Sequence, residues 1–267
     1  MRSVAGATMI SNKTVALRAL LFLALCPAIL IVAGPMTKTV SPLRGQLLVG
    51  AATSFFTFAL TFAFVRWDGL QLRDVGTAVS AHTVPQLLLG FVIGSALVAL
   101  QIVTVLAGAH THWVVGPHQP FGVTLLALVG YFALALREEL AFRGYPLRRL
   151  ESAWGTWGAL LLIAGVFTLE HTASGWSWSR SLLGPPAGAL LFGIAALSTR
   201  GIAVPLGIHA AFNFGQWFVG QKETAGVLRP VVDAGFDHQA DVLGYAGYLA
   251  GMLLAASGFW LWRKRCA

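Results

Sequence analysis

An all-α, polytopic membrane helix bundle of about eight transmembrane helices is the fold class this sequence predicts, and three observations predict it. Hydrophobic residues make up 57% of the 267-residue chain and charged residues only 10%, where a soluble domain carries about 25% charged. Mean hydropathy is +0.74. The apolar residues also gather into eight runs, most of them near the roughly 20 residues that cross a hydrocarbon core. Gly-Pro punctuation such as Gly34-Pro35, Gly116-Pro117 and Gly184-Pro185-Pro186 separates several of them.

The first run, 15–34, contains Leu23-Ala24-Leu25-Cys26, shaped like a lipoprotein signal. Leu25 stands where a small residue is needed, and the run continues past Pro27 to Ala33, so an uncleaved membrane helix is expected. The second and third runs are 45–65 and 84–107. A loop with His110, His112 and His118 follows, expected to be a solvated outer loop rather than a metal site. The fourth run, 121–137, leads straight into Arg137-Glu138-Glu139-Leu140-Ala141-Phe142-Arg143. The fifth, 156–171, ends in Phe167-Thr168-Leu169-Glu170-His171. The sixth and seventh, 182–198 and 201–220, are joined by a very short link at Arg200, and the link around Arg180 is short too. Runs five to seven are therefore expected to pack as antiparallel neighbours. The eighth is 242–262. The two cysteines, Cys26 and Cys266, form no disulfide framework and no metal spacing. Many of the 30 glycines fall in the helical runs, as close helix packing in lipid favours.

The net charge of +8 would suggest nucleic acid in a soluble chain. Here Lys and Arg are scattered between apolar runs, with no basic cluster carrying interleaved aromatics, so nucleic acid is not an expected partner. Their distribution reports topology instead. With the N-terminus cytoplasmic, thirteen of the 18 fall on inner segments and five on outer loops, the bias that cytoplasmic loops show. An even helix count puts both termini inside. It also puts Glu138-Glu139 at the cytoplasmic end of the fourth helix.

Polar residues inside apolar runs are costly, about 2.5–3.5 kcal/mol for a charge at mid-bilayer, and tend to face one another or a wet cavity. Three such sites stand on consecutive runs: Glu138, Glu139 and Arg143; Glu170 and His171; His209 and Asn213. Glu139 and Arg143, four apart, share a helix face and can pair. Glu138 has no partner at that spacing and is the carboxylate free to act as a general base. His209 and Asn213 also share a face. One shared site is the economical arrangement. Depth opposes it, because the fourth run descends to Glu138 while the fifth climbs to His171. The conflict disappears if Arg137–Leu150 continues as helix before folding back, or if the fifth helix is short and tilted. Glu170, about 100° round the helix from His171, is read as a secondary polar residue lining the cavity.

In their order, Glu-Glu-x-x-x-Arg, Phe-x-x-x-His and His-x-x-x-Asn resemble the CPBP family of intramembrane proteases. These are the CAAX prenyl endopeptidases and bacteriocin-processing enzymes, also called the Abi family. The positions are Glu138, Glu139, Arg143, Phe167, His171, His209 and Asn213. The resemblance divides the chain into N-terminal helices over 1–120, a catalytic core over 121–217 and a last loop and helix over 218–267. It implies hydrolysis of a peptide bond in a water-filled cavity within the membrane. Glu138 with His171 would activate water, His209 and Asn213 would stabilise the oxyanion, and Glu139, Arg143 and Phe167 would hold the motif in shape. Partners would be a peptide or protein substrate, lipidated or membrane-anchored, together with membrane lipids. Family members have been described as metalloproteases and as glutamate-type proteases. Metal-free catalysis is expected here; the alternative is a divalent metal such as zinc on Glu138, His171 and His209.

Two readings from other classes compete: a non-catalytic membrane immunity or binding protein of the same fold, and a small transporter with Glu138 as proton carrier. No member of the motif set is missing, which argues against the first. The polar sites lie in one half of the chain without a counterpart in the other, which argues against the second.

Overall fold

A computed structural model describes residues 11–37, 40–116, 118–222, 224 and 226–266. Arg2 and Lys38 of the charge count, and the side chain of Cys266, lie outside that description. Each of the eight apolar runs is helical over most of its length. In chain order the elements are α1 (Asn12–Ala33), α2 (Pro42–Trp67), α3 (Thr83–Gly108), β1 (Thr111–Val115), α4 (Phe121–Phe142), α5 (Tyr145–Ala173), α6 (Trp178–Leu183), α7 (Pro185–Thr199), α8 (Ala203–Phe218), β2 (Leu228–Val232) and α9 (Asp237–Cys266). Among the described residues six stretches are long and apolar enough to cross a membrane, counting Phe121–Ala173 as one and Trp178–Thr199 as one. At 16 residues, α8 falls short of that length. Large apolar side chains such as Phe55, Val92 and Leu253 point outward, as in a bundle solvated by lipid.

The helical reading is corrected in two places. The link around Arg180 is not merely short but carries the six-residue α6. The histidine loop contributes a strand: β1 pairs antiparallel with β2, Thr111 opposite Val232 and Val115 opposite Leu228. This ribbon ties the α3–α4 connection to the α8–α9 connection at one end of the bundle, called here the ribbon end. His110 stacks on Phe236 with ring centroids 4.1 Å apart.

The opposite, basic end is locked by Asp68 at the close of α2, a residue the sequence did not single out. Its carboxylate is fully buried, accepts from Arg18 of α1 at 2.5 Å and from the Tyr145 hydroxyl at 2.9 Å, and forms an ion pair with Arg149, whose Nε lies 2.7 Å away. Phe22, Phe64 and Tyr145 pack their rings around it, with centroids 5.2–5.4 Å apart. These contacts hold the first part of α5 against α1 and α2.

The same helix resolves the depth conflict. After Phe142 the chain does not loop out; it continues as helix from Tyr145 and turns at Gly155, whose φ of 76° and ψ of 171° suit glycine alone. The remainder of α5 then climbs antiparallel to α4: Phe142 meets Phe167, with centroids 5.1 Å apart, and Arg137 meets Glu170 at 2.5 Å. Residues 145–154 lie between the end of α4 and this reversal, and the returning stretch of α5 meets the end of α4 through Phe167 and Glu170.

Close packing places α8. Gly90 and Gly94 of α3 lie one turn apart, and a Cβ on either would stand 2.1 Å from Val204 O or 2.3 Å from Ile208 O. Gly207 is equally tight against Leu87 O, at 2.2 Å. Backbone carbonyls cannot move aside as a flexible side chain can, so the two helices touch along a small-residue seam. Gly94→Ala is expected to lower thermal stability in detergent by about 1–3 kcal/mol, the usual cost of overpacking. Gly122→Ala, with open space around it, is the control that should melt as the parent does. Equal melting of both variants would show that the seam is not under this constraint.

Candidate active site

The buried face of α4 carries Arg137 and Glu139, that of α5 carries Phe167, and that of α8 carries His209. All three helices contribute to one cavity of about 690 Å³. Glu138, His171, His209 and Asn213 all line it. Its walls continue to the ribbon end through Trp113, Trp176, Pro230 and Tyr245.

Glu138 is not left without a partner, as helical spacing alone suggested. Arg137 Nη1 lies 3.9 Å from its Oε1, and His209 Nε2 lies 3.6 Å from its Oε2. Both spacings are too long for a direct hydrogen bond, so the carboxylate, 19% exposed, still has acceptor capacity toward the cavity. Arg137 is satisfied elsewhere, by Glu170. That corrects the expectation for Glu170: it does not line this cavity but balances the charge behind Glu138.

Glu139 is completely buried and does two jobs. Its Oε1 accepts from His209 Nδ1 at 2.9 Å and stands 3.6 Å from Arg143 Nη1. Arg143, also fully buried, sits among three aromatic rings: Phe167 at 4.7 Å, Phe192 at 5.3 Å and Phe142 at 5.5 Å from guanidinium carbon to centroid. Cation–π attraction in such a dry setting is worth about 2 kcal/mol or more. This is the physical content of Phe167 in the motif.

Hydrogen bonding sets both imidazoles. His171 Nδ1 is 2.9 Å from Phe167 O; a carbonyl only accepts, so Nδ1 carries a proton there. The same reasoning applies to His209 Nδ1 against the Glu139 carboxylate. In each ring Nε2 is the nitrogen left over for the cavity. Phe192 stacks on His209, with centroids 4.6 Å apart and planes at 18°. Trp176 meets His171 edge-on at 4.9 Å.

Asn213 Oδ1 accepts from Lys222 Nζ at 3.1 Å. An amide has one acceptor oxygen and one donor nitrogen, so this contact commits the oxygen and leaves Nδ2 as the donor. Phe192 and Lys222 were not found from sequence. An apolar residue in an apolar helix gives no signal, and a lysine just past a helix reads as a solvated loop charge. Arg137 and Glu170 did carry a signal, since two opposite charges on adjacent apolar runs need each other.

Among the described residues no three His, Cys, Asp or Glu side chains are grouped so as to hold a metal ion. The set Glu138, His171 and His209 lines the cavity without being gathered as a metal centre. The loop histidines His110, His112 and His118 are not gathered as one either.

Residues 120–215 match the family described as Rce1-like, type II CAAX prenyl endopeptidase. The matched stretch contains every residue of the three motifs, from Glu138 to Asn213, and supports the resemblance to CPBP-family membrane proteases. It supports, in general terms, a CAAX-type intramembrane protease with a peptide or protein substrate at the membrane. No curated protein matches the chain.

Proposed function

We propose that the protein is an intramembrane endopeptidase and that the cavity of Glu138, His171, His209 and Asn213 is where it hydrolyses the peptide bond. The observation that carries this reading is the meeting of these four polar side chains, from three helices, on one cavity. A water held between Glu138 and His171 Nε2 gives its proton to the Glu138 carboxylate as its oxygen adds to the scissile carbonyl carbon. The carbonyl oxygen becomes an oxyanion facing the Asn213 Nδ2 donor and His209, which donates from Nε2 as an imidazolium while its Nδ1–H stays on Glu139. Collapse breaks the C–N bond, and Glu138 returns its proton to the leaving amine. Glu139 and Arg143 act through His209, which Glu139 orients.

The orientation follows from charge. Arg137 and Arg143 are interior residues, so they no longer count toward any loop. Among the described residues the remaining Lys and Arg divide ten at the basic end and four at the ribbon end. Both termini are then cytoplasmic, and the cavity, walled by the ribbon and by α6, opens on the other side. The substrate is a membrane-anchored peptide or protein whose scissile bond is presented from that side.

A comparison of membrane proteomes from cells with and without the protein tests this. New peptide termini should appear with the parent and vanish with His209→Ala or Asn213→Ala. On a substrate found in this way, each of these variants is expected to cost about 10²–10³ in rate. Identical termini with and without the protein would favour a non-catalytic binding role. Activity lost to a chelator and restored by zinc would recast Glu138, His171 and His209 as metal ligands with bound water as nucleophile.

A further inference from the structure

On the other side of α4 and α8 from the catalytic cavity lies a second one, of about 610 Å³. It exists because α2 and α3 stand apart: α2 packs on α4, and α3 packs on α8. The slot between them has Phe132, Leu136 and Leu206 as its floor and Phe55 and Phe58 on its α2 wall. Phe55 is 68% exposed, so the slot gives sideways onto lipid.

Its chemistry changes along its length. At the basic end it is lined by Arg73, Arg200, Ser80 and Gln86. Both arginines are exposed, and among the described residues neither is in an ion pair. They are held near each other by backbone. Ile202 N donates to Gly76 O at 3.0 Å, and the chain at Gly76 approaches Arg200 so closely that an added Cβ would stand 3.1 Å from Arg200 O. Arg200 itself is in the left-handed region, with φ 56°, a conformation uncommon for a non-glycine residue.

A slot that is apolar over about two turns of α4, from Phe132 to Leu140, and ends in two guanidinium groups complements one kind of ligand. We propose that it binds an anionic phospholipid, with one acyl chain between α2 and α3 and the phosphate on Arg73 and Arg200. Guanidinium forks match phosphate oxygens in geometry and charge, and Ser80 and Gln86 can reach the glycerol and ester oxygens. A free phosphate would use only the arginines, and a neutral lipid only the apolar length.

Native mass spectrometry of the full chain, delipidated in detergent and titrated with phosphatidylglycerol, phosphatidylcholine or inorganic phosphate, separates these cases. One phosphatidylglycerol should be retained about tenfold or more better than phosphatidylcholine, given the roughly 1 kcal/mol per basic residue that anionic lipid attraction supplies. That preference should vanish in Arg73→Gln/Arg200→Gln, whose melting should match the parent because neither side chain is paired in the fold. Equal retention of the two lipids by the parent overturns the proposal without reference to any variant. So does full phosphatidylglycerol retention by the double variant, or displacement of the lipid by phosphate alone.

Discussion

Replacing Glu138 by glutamine is expected to lower cleavage of a verified substrate by about 10²–10⁴-fold while the protein inserts and melts as its parent does. Glutamine has the same shape and can still accept a hydrogen bond, but it cannot take a proton from water. The fold should tolerate the change because no buried cation is orphaned. Arg137 keeps Glu170, and His209 keeps Glu139. Single-turnover cleavage in proteoliposomes, with melting measured on the same samples, checks both halves. Cleavage near the parental rate would remove Glu138 from the role of base.

Glu139→Gln should act in the opposite way, on stability first. Arg143 has no hydrogen bond from any guanidinium nitrogen to a described partner, and Glu139 is the carboxylate beside it. Without that charge a fully buried cation loses the carboxylate it is paired with. Breaking one partner from a buried pair costs about 3–5 kcal/mol. The loss should show as a lower melting temperature and lower abundance, and adding Arg143→Met should recover part of it. The amide oxygen of the introduced glutamine can still accept from His209 Nδ1, so the fraction that folds should cleave within about tenfold of the parent, the difference between a charged and a neutral acceptor. Unchanged melting would mean that the Arg143 charge is not balanced by Glu139.

These two carboxylates show what was legible in the sequence. The eight apolar runs carry enough hydropathy to be read as helices without any tertiary knowledge. The polar residues within them were legible for the same reason, since lipid makes each one expensive. The Glu139–Arg143 pair followed from helical spacing. What spacing could not supply was contact between helices: the approach of His209 to both glutamates, the Arg137–Glu170 pair and the hub at Asp68. Phe192 touches two motif side chains yet looks in sequence like any lipid-facing phenylalanine. The ribbon was hidden because its two strands are five residues each and lie in different loops. The depth of His171 depended on one backbone reversal at Gly155, which no periodicity announces.

The central claim is that Glu138 performs the proton transfer and Glu139 holds the site together. Single-turnover cleavage by the folded fractions of Glu138→Gln and Glu139→Gln, measured side by side on one substrate, tests it most directly. The account predicts a Glu138→Gln protein that is stable and inactive, and a Glu139→Gln protein that is unstable but cleaves when folded. A stable, cleaving Glu138→Gln beside a well-folded, inactive Glu139→Gln would contradict it and exchange the two roles.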